Sequence, residues 1–350
     1  MSGADIPARA VADRINRQVR LKSRPSGIPQ AGHFEIVESA VPAPAEGQVL
    51  VRNIYLSAEP AMRGWVNAAA NYAEPVAVGA VMRGPAVARV VASRDAGFRA
   101  GEFVTGGFGW QDYAAVSPAA IQRKLPQDGL PLSAHLGVLG LNGLTAYFAL
   151  LEVGQPRPGE TVVVSTAAGS VGACAGQIAN IRGCRTVGIA GGPEKVRICR
   201  EEFGYAAAID YKAGGLDAEL SAACPDGVDV YFDNTAGPIS DAVMKHLRVG
   251  ARIVQCGTAS IASWDPPPMG PRVERQLLVK RARIQGFLAT DHAARYPEAL
   301  LALTEWVKSG AIRYREDMLV GMERMPDAIA GLYRGDNLGK RIIRIAPEAV

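Results

Sequence analysis

The segment Glu160–Gly172, ETVVVSTAAGSVG, joins a run of valines to a run of small residues through a glycine-containing turn. Three consecutive valines leave no polar face, and a short strand apolar on both sides belongs in a parallel sheet covered on both sides. Gly169 lets the backbone turn tightly and approach a pyrophosphate, and Gly172 lets the following helix pack close to the strand. The first N–H groups of that helix and the positive end of its dipole then face the phosphates. This strand, turn and helix form the setting that a dinucleotide fingerprint requires. Ala167 stands where the pattern usually opens with glycine. A plain strand–turn–helix with small residues for packing is therefore the alternative reading.

Downstream, helix and strand patterns alternate. Ser170–Arg182 and Glu194–Phe203 read as helices. Thr186–Ala190, Ala207–Asp210, Val228–Phe232, Arg252–Cys256 and Ile284–Leu288 read as short apolar strands, and Gly143–Glu152 as a helix ahead of the first of them. Repeated β-α-β units imply a doubly wound parallel sheet. Upstream the texture differs. Gln48–Tyr55 alternates apolar and polar residues, and Ala86–Ala92 and Phe103–Phe108 are short strands between Gly and Pro punctuation. The tail returns to that texture, with strands at Arg313–Leu319 and Lys340–Ile345 around a helix at Pro326–Leu332. The expectation is an α/β chain in which a Rossmann sheet is inserted into a β-rich irregular domain: 1–135 β-rich with an N-terminal extension, 136–304 nucleotide-binding, 305–350 a return to the first domain.

The end of the second parallel strand bears on which dinucleotide is bound. An NAD site places a carboxylate there to hold the ribose 2′-hydroxyl. Here the strand ends Ile189-Ala190-Gly191-Gly192 without one, and Lys195, Arg197 and Arg200 follow. A 2′-phosphate repels an acid and welcomes a lysine, so NADPH is expected, with Gly192 and Lys195 at its adenosine end. Glu194 is discordant unless it faces solvent.

Composition narrows the remaining classes. The 350 residues are 48% hydrophobic and 21% charged with a net charge of +4, which suits a globular protein of one or two domains and gives no basic footprint for nucleic acid. The longest basic stretch, Lys280–Arg283, reads as a solvated helix end. No run approaches the roughly 20 apolar residues that span a membrane. Residues 1–20 carry Arg9, Arg14, Arg17 and Arg20 but no apolar core, so a loose extension is expected rather than a secretory signal, with a transit peptide the alternative. The five cysteines, Cys174, Cys184, Cys199, Cys224 and Cys256, form no C-x-x-C pair and all lie beyond residue 170. That argues against a disulfide framework, points to a reducing cytoplasm, and leaves the β-rich domain without thiolates for a catalytic zinc.

Six segments carry a family likeness: NIYLSAEPAMRGW at Asn53–Trp65, LGLNGLTAYFALLEVG at Leu139–Gly154, AAGSVG at Ala167–Gly172, IDYK at Ile209–Lys212, YFDNTAG at Tyr231–Gly237 and GDNLGK at Gly335–Lys340. Through them the chain resembles, from about Asn16 to Ile345, the zinc-independent medium-chain dehydrogenases/reductases of the prostaglandin reductase, alkenal double-bond reductase and curcumin reductase branch. The resemblance implies a GroES-like catalytic domain around the Rossmann sheet, a metal-free homodimer, and NADPH-dependent reduction of the C=C bond of enones or enals. It implies that Thr145 and Ala168, Gly169, Ser170 and Val171 line the nicotinamide ribose and pyrophosphate. Lys195 and Tyr211 would hold the 2′-phosphate end, and Asn234, Cys256 and Thr258 would lie along the strand ends. Phe287 and Leu288 would flank the nicotinamide amide, and Asn337 would reach the cofactor from the tail. Cys256 reads equally as a core residue, and Asn337 as a turn residue.

Two departures from that family stand out. Ala61 replaces an aromatic residue in Glu59-Pro60-Ala61-Met62-Arg63. Asp291-His292 replaces an Asp-Tyr pair, so His292 is the candidate donor to the substrate oxygen, against the alternative of a surface histidine at a helix start. Tyr55 is a second candidate and Tyr296 a weaker one. Quinone reduction, zinc-free carbonyl reduction, and non-catalytic NADPH binding are the rival expectations.

Overall fold

The structure, a computed structural model, describes residues 14–68, 72–261, 263–264 and 266–348. The expected N-terminal extension therefore lies outside the described residues as far as residue 13. The chain divides into two compact units: one runs to Leu136 and resumes at Asp317–Asn337 and from Arg341, the other is Gly137–Glu316 with Leu338–Lys340.

The first unit is β-rich. β1 (Ile15–Leu21) and β2 (Phe34–Ala40) form an antiparallel pair. β3 (Val49–Ser57), β4 (Ala86–Ser93), β5 (Phe103–Gly106), β6 (Tyr113–Val116) and β7 (Ile121–Lys124) join a mainly antiparallel sheet, with β3 paired to both β4 and β6. Its core gathers alternate residues of these strands, Val49, Val51, Ala86, Ala88, Val90 and Val104, against Phe108, Trp110 and Phe34. The two-residue period of the sequence is what puts them on one face.

The second unit carries the six-stranded sheet β10-β9-β8-β11-β12-β13, formed by β8 (Thr161–Ser165), β9 (Arg185–Ala190), β10 (Ala207–Asp210), β11 (Val228–Asp233), β12 (Leu247–Gln255) and β13 (Arg283–Gly286). All five neighbouring strand pairs within it are parallel. Val162, Val163 and Val164 have no exposed surface. Each contributes about 1.5–3 kcal/mol of hydrophobic stabilisation, which places β8 at the centre. Chain order runs outward from β8 in one direction and from β11 in the other, so the switch point lies between their carboxyl ends, where such sheets bind ligands.

Boundaries moved in understandable ways. The helix expected at Gly143–Glu152 is α-helical over Leu141–Phe148 and continues as a π-helical turn, Ala149–Gly154. The last parallel strand stops at Gly286, leaving Phe287 and Leu288 beyond its end. The second unit runs past residue 304 because the helix Tyr296–Lys308 buries Ala299 and Leu303 in it, with Trp306 against Tyr147 at 6.0 Å. β14 (Glu316–Val320), the helix Met325–Arg334 and β15 (Lys340–Arg344) follow, with β15 paired antiparallel to β3. The basic stretch is a helix end: Lys280 closes the helix Glu274–Lys280, and Arg281 turns with φ 49°.

Candidate active site at the carboxyl ends of the parallel sheet

The turn after β8 is built around contacts that admit no side chain. Thr166 adopts φ 54°, and the helix Ser170–Ile181 starts from Gly169 as its N-cap. A methyl group on Gly172 would lie 2.2 Å from the Thr166 carbonyl oxygen. Ala167, in place of the usual first glycine, is fully buried, and its methyl would lie 2.7 Å from one placed on Gly188 of β9. The missing glycine is thus offset by a glycine on the neighbouring strand. Tyr205 completes the packing, its hydroxyl donating to the Gly172 carbonyl at 2.7 Å. Ala168 is buried, while Gly169, Ser170 and Val171 are partly exposed at the helix N-terminus.

At the end of β9, Gly192 takes φ 102° and its N–H donates to Asp210 Oδ1 at 2.8 Å. The same oxygen accepts from Lys212 N at 3.0 Å. Asp210 thereby ties the β9 and β10 ends together. The ring of Tyr211 and the stem of Lys212 pass so close over Gly191 that a methyl there would meet them at 2.8 and 3.0 Å. Lys195 is half-buried in the first turn of the helix Pro193–Glu201, while Glu194 is exposed. Sequence reasoning passed over Lys212 and Asp210, although both lie in the quoted segment IDYK. Only the fold brings that segment beside Gly191.

Between β8 and β11, Asn234 acts as a strap. Its N–H donates to Ser165 Oγ at 2.8 Å and its amide nitrogen to the Ser165 carbonyl at 2.7 Å. Cys256 and Gly257 donate through their N–H groups to the Asp233 carbonyl at 2.8 and 3.0 Å. The Cys256 residue is partly exposed but its thiol is enclosed, and burial, helped by the charge of Asp233, pushes the thiol up to about 12. That leaves Cys256 a neutral lining group rather than a nucleophile. Thr258 is half-buried on the same loop. Ala236 sits at φ 56°, ψ −163°, a region almost reserved for glycine. Ala236→Gly is expected to raise the melting temperature by about 2–4 °C through roughly 1 kcal/mol of relieved strain. Thermal unfolding of the variant checks this.

Beyond β13, Phe287 is buried and Leu288 exposed. The His292 ring lies between Phe148 at 4.9 Å, 13° from parallel, and Phe287 at 5.3 Å, 22° from parallel. Thr145 lies one turn before Phe148 and donates its hydroxyl to the Leu141 carbonyl at 2.7 Å. His292, Phe287 and Phe148 thus meet beyond the end of β13, with Thr145 on the same helix as Phe148. Burial, with Asp291 nearby, raises the Tyr296 hydroxyl above its usual range. His292 itself is half-buried.

Two sequence candidates belong to the other unit. Tyr55 is buried among Ile54, Val87, Leu125, Leu136 and Ile342, and its hydroxyl donates to Glu348 Oε1 at 2.7 Å. Those contacts engage the Tyr55 hydroxyl, and Tyr55 and His292 both stand as candidate donors to a substrate oxygen. Asn337 is half-buried in the segment that follows the helix Met325–Arg334. Near the departure at Ala61, Tyr333 donates to the Pro60 carbonyl at 3.0 Å and its ring covers Arg63 at 5.2 Å, so another aromatic ring lies beside that segment. Among the described residues no group of three or more His, Cys, Asp or Glu is placed to hold a metal ion.

The glycine cradle, the cationic end of β9 and the switch-point strap together fit a dinucleotide phosphorylated on the adenosine ribose, and they define the class of protein as a nicotinamide-nucleotide oxidoreductase. Comparison with known proteins agrees. Residues 17–123 match a family model described as the N-terminal domain of oxidoreductase, and residues 170–306 one described as zinc-binding dehydrogenase. The NADPH-dependent curcumin reductase of Escherichia coli is 43% identical over 95% of this chain and 98% of its own length. The NADP(+)-dependent 2-alkenal reductase of Nicotiana tabacum is 37% identical over 95% and 98%. The crystal structure of CurA from Vibrio vulnificus in complex with NADPH superposes with a TM-score of 0.90 at 42% identity, covering 95% of this chain and 99% of that one. The chain belongs to the medium-chain dehydrogenases/reductases, in the branch of the curcumin, 2-alkenal and prostaglandin reductases.

Proposed function

We propose that the protein is an NADPH-dependent reductase of the C=C bond of α,β-unsaturated ketones or aldehydes. The observation that carries this reading is the near full-length identity to reductases named for such substrates, over a chain whose cofactor cradle is intact. When bound, NADPH supplies the hydride for the new C–H bond at the β-carbon. Ala168, Gly169, Ser170 and Val171 present the helix N-terminus to the pyrophosphate, with Thr145 beside the nicotinamide ribose. Lys195, Tyr211 and Lys212 receive the adenosine 2′-phosphate over the flat floor of Gly191 and Gly192. Asn234, Cys256 and Thr258 line the nicotinamide half, and Phe287 and Leu288 flank its amide. His292, held between two rings, donates a hydrogen bond to the carbonyl oxygen as enolate charge develops there. The ring stacking fixes the plane of the imidazole, so the donor is oriented before charge appears.

Lys195→Ala is expected to raise the KM for NADPH about 10- to 100-fold and leave that for NADH within twofold, since a charge-assisted bond to the 2′-phosphate is lost. Steady-state kinetics with both nucleotides check this. We also assign no zinc to the reaction, because among the described residues the cysteines and histidines do not converge on a donor set of the kind a catalytic zinc needs. Five free thiols fit a reducing cytoplasmic setting. No helix among the described residues is long and apolar enough to cross a membrane.

The partner we assign is a second copy of the chain. β13 is an edge strand with all four residues exposed, Ile284 among them at 44%, and Leu278 of the preceding helix is 78% exposed. An open edge, with its row of unpaired backbone groups, pairs readily with its own kind. Sedimentation is expected to give a dimer, and Leu278→Asp with Ile284→Asp a monomer; a wild-type monomer would refute the assignment. For the activity, NADPH consumption is measured with an enone, a 2-alkenal and a quinone, with products identified by mass. A saturated carbonyl product supports the proposal. Turnover of the quinone alone makes it a quinone reductase, and NADPH binding without any turnover makes it a non-catalytic binding protein.

A further inference from the structure

Asp233 ends β11 with no exposed surface. Its Oδ1 accepts from Tyr231 Oη at 3.0 Å, Thr235 N at 2.8 Å, Thr235 Oγ1 at 3.2 Å, Ala236 N at 2.9 Å and, more distantly, Ser165 Oγ at 3.4 Å. Its Oδ2 accepts from Ser240 Oγ. Every one of these donors is a hydroxyl or a backbone N–H, and none carries a charge. A carboxylate taken out of water without a countercharge is costly, and here only oriented dipoles offset that cost. Burial raises the Cys256 thiol and the Asp241 carboxyl, and the neighbouring Asp233 carboxylate adds to both shifts.

The position gives this charge a use. β11 is the first strand beyond the switch point, and its carboxyl end lies on the half of the crevice opposite the β8 and β9 ends assigned to the adenosine phosphates. In such folds that half holds the nicotinamide. The carboxylate accepts from the N–H of strained Ala236, and the backbone carbonyl of the same residue, Asp233, anchors the loop of Cys256 and Gly257. The nicotinamide ring is neutral when reduced and cationic when oxidised. We propose that Asp233 is a charge-bearing positioning residue of the nicotinamide half, whose fixed negative charge strengthens binding of the oxidised cofactor relative to the reduced one. The proposal rests on the NADPH assignment above. Its consequence for the reaction is that positive charge developing on the ring as hydride leaves is stabilised by a group that needs no reorganisation.

Asp233→Asn separates charge from shape. The amide oxygen keeps the bonds from Tyr231, Thr235 and Ala236. The amide nitrogen donates to Ser240 Oγ, which can accept once its own hydrogen turns away. Dissociation constants for NADPH and NADP+ are measured by fluorescence titration on wild type and variant. The expected result is NADPH binding within twofold of wild type and NADP+ binding about 3- to 10-fold weaker. Equal weakening of both would make Asp233 a structural knot only, and no change in either would remove its charge from the account; both outcomes overturn the proposal. Should Asp233→Asn fail to fold, Ser240→Ala strips one donor and leaves the charge less offset, so the affinity ratio shifts about twofold toward NADP+. An unchanged ratio there overturns the proposal as well. If the wild-type protein binds neither nucleotide, the cofactor assignment itself fails and this proposal falls with it.

Discussion

Gly172→Ala is expected to weaken NADPH binding at least about 100-fold and to lower the melting temperature by roughly 3–10 °C. A methyl at this position would lie 2.2 Å from the Thr166 carbonyl oxygen, 2.8 Å from its carbon and 3.0 Å from Ala167 Cα. All three are backbone atoms, so no side chain can rotate aside. Thr166 already stands at φ 54°, an unfavourable conformation for a β-branched residue, which leaves the turn little room to yield. Relief requires the helix to move away from β8, and overpacking of this kind costs about 1–3 kcal/mol. The binding loss is larger than the stability loss because the displaced groups are the N–H donors aimed at the pyrophosphate. Gly169→Ala serves as the comparison. Its methyl would press mainly on Thr166 Cγ2 at 2.9 Å, the end of a side chain, so a smaller loss is expected. Fluorescence titration with NADPH, beside thermal melts of both variants, tests the pair. Wild-type affinity in Gly172→Ala would mean that the turn does not hold the pyrophosphate.

His292→Phe is expected to lower kcat about 10²- to 10³-fold while NADPH affinity stays within twofold of wild type. The substitution keeps an aromatic ring between Phe148 and Phe287 and removes the only change under test, the hydrogen-bond donor. Removing one donor to a developing oxyanion typically costs that much in rate. The stack also predicts little loss of stability, since the replacement ring buries as much apolar surface. His292→Tyr, which restores a hydroxyl donor, is expected to recover at least part of the rate. Full activity in His292→Phe would show that the substrate oxygen is held elsewhere.

Much of this molecule was legible from local chemistry. The valine run of β8, the turn through Gly169 and the small-residue helix could be read because each residue's constraint is set by its immediate neighbours. The cationic reading of Lys195 rested on the same kind of local fact, the absence of a carboxylate after Ala190. What the sequence obscured depended on residues far apart in the chain. Ala167 looked like a flaw in the fingerprint until Gly188, on another strand, was seen to make room for it. Asp210 and Lys212 act on Gly191 and Gly192 across a strand pairing, which periodicity alone does not reveal. Tyr55 reads as a polar aromatic available for chemistry, yet Glu348, 293 residues away, takes up its hydroxyl. His292 was visible as a departure from its family, but the two rings that orient it come from Phe148 and Phe287, on separate elements. Asp233 passed as the first residue of a familiar D-N-T-A-G run, because neither its burial nor its donors can be read from its neighbours in sequence.

The central claim concerns where the hydride goes, and one labelled turnover addresses it. The enzyme is supplied with NADPH deuterated at the transferable C4 position and an enone, and the product is examined by NMR and mass spectrometry. The account predicts a saturated ketone carrying a single deuterium on the former β-carbon, with the α-hydrogen drawn from solvent. An allylic alcohol with deuterium on the carbinol carbon would contradict it, because the hydride would then have gone to the carbonyl rather than to the double bond.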